Sequence, residues 1–311
     1  MTVLVLGESG FIGARIVRRL AEAGKTPVCL DGNADLFRLQ DLGDRFRFIK
    51  GDITYIEDII AAIKEHDVDQ VINMAYMLGD AGPQETVRID ILGMNNAFEA
   101  ARLTGVERVL YASSIARHGP QEAFGDGTVR EDDPGHPTTL YGWAKQFNEA
   151  VAGEYARRYG MTMVAVRPAY VFGAAPRRWG PIGASHMISD VAVGNPSVVA
   201  ADPDQRHLLV HVDDVAEIFL KLSQAPTVRY PAFLTGGHVT TFRALADIVR
   251  TFVPQAEISF SQDRRRSYDL VHNVDAGRVR TELGIEQPPL EQRVLDTINA
   301  ARRMAGQPPV G

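Results

Sequence analysis

A scarcity of cysteine is the first constraint on this chain of 311 residues. Its single cysteine, Cys29, excludes an internal disulfide and fits a reducing, cytoplasmic compartment. The residues around Cys29 are apolar, and this pattern predicts a buried structural thiol and not a nucleophile.

Basic residues are not in excess: the chain has 33 lysines and arginines and 39 acidic residues, which gives a formal net charge of −6. That balance gives no electrostatic reason to expect nucleic acid or an anionic membrane as a partner. No run of about 18 uncharged apolar residues occurs, so no membrane span is predicted. The first residues carry no basic segment before an apolar run, so we do not expect a signal peptide.

A glycine-rich turn follows the first predicted strand. Residues 3–6 are wholly apolar, as in a strand buried on both faces of a parallel sheet. They lead into a glycine turn at 7–13 and a helical pattern at 14–23. In this context the turn predicts a dinucleotide site, with the pyrophosphate at the helix N-terminus. The residues predicted to line it are Gly7, Gly10, Phe11, Ile12 and Gly13.

The second predicted strand, 26–30, ends at Asp31, 18 residues after Gly13. A carboxylate there accepts hydrogen bonds from adenosine ribose hydroxyls and repels a 2′-phosphate. No arginine follows before Arg38, so the predicted cofactor is NAD and not NADP. The alternative is that Asp31 only caps a helix.

Strand-like and helix-like segments continue to alternate in the first half. Further strands are predicted at 46–50, 70–73 and 106–111, and helices at 56–64 and 83–103. This βαβ repetition predicts an α/β, doubly wound parallel-sheet Rossmann fold, with the ligand at the carboxyl ends of the strands. The strict alternation of predicted strands and helices does not continue after residue 173. We therefore expect a cofactor-binding domain at 1–173 and, at 174–311, mainly a smaller mixed α/β substrate lobe, with the chain crossing back at about 207–235.

Tyr141 and Lys145 lie four residues apart at the start of a predicted helix and so share one face. A tyrosine with its ordinary pKa is a poor acid or base at neutral pH. A cation about 5 Å away, at an effective dielectric of about 20, stabilises a phenolate by about 3 kcal/mol. We therefore expect Lys145 to lower the pKa of Tyr141 and prepare it for proton exchange with an alcohol. Taken alone, such a pair also occurs by chance on many helices.

These motifs together resemble those of the extended short-chain dehydrogenases/reductases of the NAD-dependent epimerase/dehydratase group, over nearly the whole chain. The segments that carry the resemblance are 7–13, Asp31, 51–53, 111–114, 141–145, 167–173 and 211–216. The resemblance implies that the cofactor is also contacted by Asp52, Ile53, Ala75, Tyr141, Lys145, Pro168 and Val171.

The resemblance also implies catalytic roles for Ser114, Tyr141 and Lys145. Ser114 would hydrogen-bond the substrate oxygen, Tyr141 would exchange its proton, and Lys145 would hold the nicotinamide ribose. Ser113 is the alternative to Ser114 and a possible substrate contact.

Four positions bear on substrate recognition or depart from the family pattern. His118 stands where tyrosine is usual, and is either a second acid/base at the substrate or a polar surface residue. Asp90 replaces the usual asparagine and could restore the same hydrogen bond. Arg178 lies in a loop rich in proline, glycine and arginine, and Arg206 lies where relatives clamp a diphosphate; surface arginine is the alternative for both.

Absent motifs narrow the activity. Ile115 and Ala116 stand where sugar dehydratases carry two acidic residues, and Cys29 is far from the predicted substrate site, so dehydration and cysteine-assisted epimerisation are not expected. The sequence predicts an NAD(H)-dependent oxidoreductase acting at a secondary alcohol or carbonyl of a sugar or a related small hydroxy/oxo substrate. The alternatives are a nucleotide-sugar 4-epimerase with tightly bound NAD and, more remotely, an NAD(H)-sensing regulator without turnover.

No metal site is predicted, and the resemblance implies a homodimer. In many relatives the helix corresponding to 83–103 and the one that begins near Tyr141 form a four-helix interface. Met94, Phe98, Phe147 and Val151 could serve that interface or the interior.

Overall fold

The computed structural model describes residues 1–33, 35–77, 82–174, 183–261 and 269–311. The strands are β1 (Val3–Leu6), β2 (Val28–Asp31), β3 (Arg47–Lys50), β4 (Gln70–Asn73), β5 (Arg108–Ala112), β6 (Thr162–Arg167), β7 (Tyr170–Phe172), β8 (Ser197–Val199), β9 (His207–His211), β10 (Ala232–Leu234), β11 (His238–Thr240) and β12 (Ile258–Phe260). The α-helices are α1 (Phe11–Glu22), α2 (Ile56–Glu65), α3 (Pro83–Glu85), α4 (Met94–Thr104), α5 (Leu140–Tyr159), α6 (Gly183–Ala192), α7 (Val212–Gln224), α8 (Phe242–Phe252), α9 (Gly277–Leu283) and α10 (Leu290–Met304). A π-helical segment, Thr86–Gly93, joins α3 to α4.

Seven parallel strands form the large sheet in the order β10-β6-β5-β4-β1-β2-β3. The chain begins in the interior of the sheet, and Leu6 at the end of β1 is paired with both Leu30 and Asn73. The carboxyl ends of these strands therefore meet at one edge, where a doubly wound sheet binds its ligand. The predicted Rossmann fold is confirmed.

The alternation of side chains along β1 divides the interior of this part of the molecule into two layers. Val3 and Val5 pack with helices α1 and α7, whereas Leu4 and Leu6 pack with α2 and α4. All four side chains are at most 1% exposed, which explains a strand without polar positions. Each such burial contributes about 1.5–3 kcal/mol to stability.

The second half of the chain forms a smaller mixed lobe, as expected. It contains a three-stranded sheet, β11-β9-β7, a two-stranded sheet, β12-β8, and a third apolar cluster built largely from α6, α8 and α10. Two elements from 207–235 return to the large sheet: α7 packs against α1, and β10 pairs with β6. The domain limits 1–173 and 174–311 stay a prediction.

Within the described parts of the chain, no helix combines the length and apolar character needed to cross a membrane.

Candidate active site

The first turn of α5 lies against the turn that follows β5. Thr139 caps α5, its side chain accepting a hydrogen bond from the Gly142 amide at 3.1 Å. A Cβ at Gly142 would lie 2.5 Å from the carbonyl oxygen of Ala116, so only glycine permits this approach. The close packing brings Tyr141 to Ser114.

The structure brings Ser114, and not its neighbour Ser113, to Tyr141. Ser114 caps the short 3-10 turn Ile115–Arg117, accepting a hydrogen bond from the Ala116 amide at 3.1 Å, and its hydroxyl hydrogen-bonds Tyr141. The Ser113 hydroxyl instead donates to Glu149, beneath the site. Of the two serines, Ser114 has the geometry of the predicted catalytic residue.

Lys145 lies one turn of helix beyond Tyr141 and is only 1% exposed. Its Nζ donates to the Ala112 carbonyl at the end of β5, at 2.8 Å. The same atom lies 4.2 Å from the ring centroid of Tyr76 and 5.3 Å from that of Tyr141. Burial lowers the pKa of Lys145 to about 8, although the carboxylates of Asp90 and Glu149 act in the opposite direction.

The expected lowering of the Tyr141 pKa is wrong for this arrangement. The pKa of Tyr141 lies well above its ordinary value, chiefly because burial disfavours the phenolate, and Tyr76 and Asp90 add to the effect. The hydrogen bond from Ser114 acts in the opposite direction without prevailing. Tyr141 is therefore a neutral phenol here, which holds the proton that a carbonyl oxygen needs during reduction but gives it up less readily than an exposed tyrosine.

Tyr76 is a site residue that the sequence analysis missed. Its ring centroid lies 5.9 Å from that of Tyr141, and burial raises its pKa to about 12. It follows directly after Ala75, just past the end of β4. An aromatic side chain at a strand end on the ligand edge was the signal that could have identified it.

The glycine turn before α1 is shaped by close backbone packing. Gly7 has φ = 81°, and a Cβ there would lie 2.6 Å from the Ala75 amide nitrogen. A Cβ at Gly13 would overlap the Gly7 carbonyl oxygen. Phe11 and Ile12 follow Gly10 in the first turn of α1, which carries no acidic residue. This cradle suits a dinucleotide pyrophosphate, so the residues present fit NAD.

Asp31 ends β2 and faces the glycine turn. Its carboxylate accepts from the Ser9 hydroxyl at 2.6 Å, the Ser9 amide at 3.2 Å and the Asn33 amide at 2.9 Å. These contacts fix the carboxylate at the edge of the cradle. The predicted contact of Asp31 with the adenosine ribose stays a prediction.

The other predicted cofactor contacts follow neighbouring strands. Asp52 and Ile53 follow β3, and Ala75 follows β4 with its amide donating to the Asn73 side chain at 3.0 Å. The Pro168 carbonyl accepts from the Ile115 amide at 3.1 Å, which joins its loop to the serine turn, and Val171 lies in β7. Their roles toward NAD stay predictions.

Glu8 is a second feature that the sequence analysis missed. It lies inside the glycine turn, is 0% exposed, and neither of its carboxyl oxygens has a hydrogen-bond partner within the described structure. Burial, with a contribution from Asp31, raises the pKa of Glu8 to about 9. Glu8 is therefore neutral at pH 7 and does not oppose an anion in the turn.

The predicted substrate residues are dispersed. His118 is 0% exposed, so it is not a surface residue; its ring contacts Arg167 and Phe124, and burial lowers its pKa to about 3. A histidine in this state is a poor proton donor at neutral pH. Arg206 is exposed, and Arg178 lies outside the described residues. The substrate roles of Ser113, His118, Arg178 and Arg206 stay predictions.

Comparison with known proteins confirms the predicted family and its cofactor, NAD. The model of the NAD dependent epimerase/dehydratase family matches residues 3–232. A UDP-glucose 4-epimerase of Mycolicibacterium smegmatis is 28% identical over 231 residues, covering 71% of this chain and 72% of the relative.

Solved structures share the fold over nearly the whole chain. A Thermus thermophilus UDP-glucose 4-epimerase, crystallised with NAD, superimposes with a TM-score of 0.85 and 24% identity, covering 97% of this chain and 99% of that one. An L-threonine dehydrogenase of Cupriavidus necator superimposes with a TM-score of 0.83 and 23% identity, covering 96% and 99%. The same fold thus carries both epimerase and dehydrogenase activities.

Proposed function

Because the chain belongs to the NAD-dependent epimerase/dehydratase family, we propose that it is an NAD(H)-dependent oxidoreductase that transfers hydride at a secondary alcohol or carbonyl carbon of a small hydroxy/oxo substrate. The observation that carries the proposal is the hydrogen bond between Ser114 and Tyr141, one helical turn from the buried Lys145. Sugars and hydroxy amino acids are the substrate classes to try first, because relatives named above act on them.

Ser114, Tyr141 and Lys145 have separate roles in the proposed reaction. Ser114 hydrogen-bonds the substrate oxygen and holds it beside the Tyr141 hydroxyl. In reduction Tyr141 donates its proton to that oxygen; in oxidation it must first lose that proton to solvent, and it then accepts the proton of the substrate alcohol as a phenolate. Lys145 stabilises negative charge that develops on the Tyr141 oxygen during transfer. When bound, NAD would accept the hydride in oxidation and NADH would supply it in reduction, and the glycine turn with Asp31 would hold the pyrophosphate and the adenosine ribose.

A nucleotide-sugar 4-epimerase is the second candidate, favoured by the names of several relatives. An epimerase returns the hydride to the opposite face of the same carbon, so it keeps its NAD through each cycle. The cofactor state of freshly purified protein separates the two. NAD that survives dialysis and is released only on denaturation favours the epimerase, whereas reversible NAD binding with net reduction by an alcohol favours the dehydrogenase. Recovery of NADP would contradict the role of Asp31.

A regulator that binds NAD(H) without turnover is the third candidate. It would gain support if Tyr141→Phe bound NAD and left the cellular phenotype unchanged. The retained Ser114, Tyr141 and Lys145 argue against it.

A homodimer is also part of the proposal. Met94 and Phe98 are fully buried and serve the interior, but Leu92, Leu103, Trp143 and Phe147 are each between 46% and 55% exposed. They lie on the π-helical segment, α4 and α5, and a second copy would cover such a surface. A monomer in sedimentation at micromolar concentration would count against this. A cytoplasmic location stays a prediction from the single, buried Cys29.

A further inference from the structure

Tyr76 lies between the glycine turn and the serine turn at the ligand edge of the sheet. Strand β4 has β1 as one neighbour and β5 as the other. The glycine turn follows β1, Ser114 follows β5, and Tyr76 comes just after β4. Its neighbour Ala75 packs on the glycine turn, since a Cβ at Gly7 would lie 2.6 Å from the Ala75 amide nitrogen. A dinucleotide held at that turn must therefore cross the end of β4 to bring its reactive end to Tyr141.

Two hydrogen bonds fix the backbone on either side of Tyr76. The Ala75 amide donates to Oδ1 of Asn73 at 3.0 Å, and the Met77 amide donates to Oδ1 of Asp90 at 2.7 Å. Both acceptors are buried. The side chain of Tyr76 therefore starts from a fixed point of the backbone.

The ring of Tyr76 fills the space beside Tyr141 and Lys145. Its centroid lies 5.9 Å from that of Tyr141, with the two planes tilted by 44°, and 4.2 Å from Nζ of Lys145. The same Nζ lies 5.3 Å from the Tyr141 centroid. Distances of this size are direct contacts between two rings and between a ring and a cation, so no part of a ligand fits among the three groups. A substrate at the Tyr141 hydroxyl must fit into the space that the Tyr76 ring leaves.

The Tyr76 side chain is also available to a ligand. It is only partly buried, and its hydroxyl forms no hydrogen bond within the described parts of the chain. An anchored aromatic ring that touches the catalytic tyrosine and keeps its polar end unused is typical of a residue that contacts a ligand.

Space at the reacting carbon matters more to an epimerase than to a dehydrogenase. To return hydride to the opposite face, an epimerase must let its oxidised substrate turn within the site, whereas a dehydrogenase binds its substrate in one orientation. A fixed ring in contact with Tyr141 and Lys145 restricts such a turn. The ring of Tyr76 therefore favours net oxidation or reduction of a compound with small substituents.

We propose that Tyr76 is a specificity-determining residue whose ring borders the reacting end of the bound cofactor and admits only small groups on the reacting carbon. The substrate class that fits is a short secondary alcohol or its ketone, such as a hydroxy amino acid, and not a hexose joined to a nucleotide. The inference rests on the hydride transfer proposed at Tyr141.

The first test locates Tyr76 relative to the cofactor without any turnover. The full chain has nine tyrosines, so ¹³C labelling of tyrosine rings gives few NMR signals, and Tyr76→Phe identifies the signal of Tyr76. In the full chain saturated with NADH, we expect a nuclear Overhauser effect between the nicotinamide hydrogens and the Tyr76 ring. Absence of this effect in the saturated chain would overturn the inference.

The second test varies the size of the substrate. L-threonine, 3-hydroxynorvaline and 3-phenylserine, all in the L-threonine configuration, carry a methyl, an ethyl and a phenyl group on the carbinol carbon. In wild type, kcat/KM should fall along this series. Tyr76→Ala should lower the preference for L-threonine over 3-phenylserine by about 10-fold or more, since steric fit in a pocket discriminates by this amount. Tyr76→Phe keeps the ring and should keep the preference.

Two further variants keep this test decisive. Tyr76→Leu, which retains an apolar contact but not the ring, should also reduce the preference and covers the case in which Tyr76→Ala does not fold. Tyr159→Ala, at an exposed tyrosine at the end of α5, should leave the preference unchanged. An unchanged preference in folded Tyr76→Ala or Tyr76→Leu would overturn the inference.

UDP-glucose is the large compound to compare with the series. Its turnover by wild type at a higher kcat/KM than all three hydroxy amino acids would contradict the proposed size limit. If no compound is turned over but the nuclear Overhauser effect is present, the proposed activity fails while the position of Tyr76 at the cofactor stands.

Discussion

Two buried ionisable groups at the ligand edge of the sheet behave in opposite ways. Lys145 has the Ala112 carbonyl and the carboxylates of Asp90 and Glu149 around it, and its pKa falls only to about 8. Glu8, in the glycine turn, has no hydrogen-bond partner for either oxygen within the described structure, and its pKa rises to about 9. The comparison shows that partners, and not depth of burial, determine whether a buried group stays charged at pH 7.

The largest expected effect is the loss of kcat on substitution of Lys145, the charged group of the two. Lys145→Met should lower kcat by about 10³-fold, because the positive charge beside the Tyr141 oxygen is lost. The free energy of unfolding should also fall, by about 1–3 kcal/mol, since the buried Ala112 carbonyl loses its hydrogen-bond donor. Steady-state kinetics and urea unfolding measure the two quantities. Lys221→Met, at an exposed lysine of α7, is the control and should change neither.

Substitutions in the glycine turn should weaken NAD binding by changing the shape of the turn and not its charge. Gly13→Ala should weaken NAD binding by about 100-fold or more, because the added methyl overlaps the Gly7 carbonyl and displaces the turn. Gly153→Ala in α5 is the matched control: apart from its own stretch of helix, no atom of the described residues lies within 4 Å of the added Cβ. It should therefore stabilise the chain by about 0.5–1 kcal/mol and leave NAD binding unchanged. Calorimetric titration with NAD compares them, and equal affinities would contradict the assignment of the turn.

Substitutions at the two serines should change different quantities, kcat at Ser114 and stability at Ser113. Ser114→Ala should lower kcat by about 100-fold, because the substrate oxygen loses its hydrogen bond. Ser113→Ala removes the hydrogen bond to Glu149 and should mainly reduce stability, by about 1 kcal/mol. If Ser113→Ala has the larger loss of kcat, the assignment is reversed.

Glu8, the neutral group of the two, should make the stability of the folded chain depend on pH. The pKa of Glu8 is about 9 when folded, against 4.5 as its ordinary value, so the folded chain binds the proton more tightly than the unfolded chain. Its contribution to stability is complete below about pH 4.5 and is lost as pH rises toward 9. Glu8→Gln cannot ionise, so relative to wild type it should gain about 2 kcal/mol between pH 6 and pH 8.

Unfolding by urea at several pH values tests this prediction. The exposed control Glu65→Gln should follow the wild-type curve. Parallel curves for Glu8→Gln and wild type would show that Glu8 finds a partner in solution.

The sequence predicted the parts of the molecule that depend on local pattern. The apolar run at 3–6, the glycine turn and the spacing of Tyr141 and Lys145 each specify their own geometry, so the fold and the catalytic pair could be predicted. The predicted strand at 70–73 agrees with β4, because an apolar run bounded by polar residues is a local signal.

What the sequence did not reveal depends on contacts between distant segments. The neutral state of Tyr141 follows from burial beside Tyr76 and Asp90, which no spacing along the chain encodes. From the sequence, His118 could be a polar surface residue of a loop. In the structure its ring contacts Arg167, which lies 49 positions away in the chain. No pattern around Glu8 indicated burial, yet the fold buries it completely.

The most direct test of the central claim is hydride transfer itself, followed with wild type and Tyr141→Phe side by side. Each protein is saturated with NAD and offered a panel of sugars and hydroxy amino acids deuterated at the carbinol carbon. The nicotinamide and the substrate are then analysed by mass spectrometry. We predict that deuterium reaches the nicotinamide, or returns inverted to the same carbon, in wild type, and that Tyr141→Phe binds NAD equally well but transfers at least about 10³-fold more slowly. Transfer at the wild-type rate in Tyr141→Phe would contradict the account.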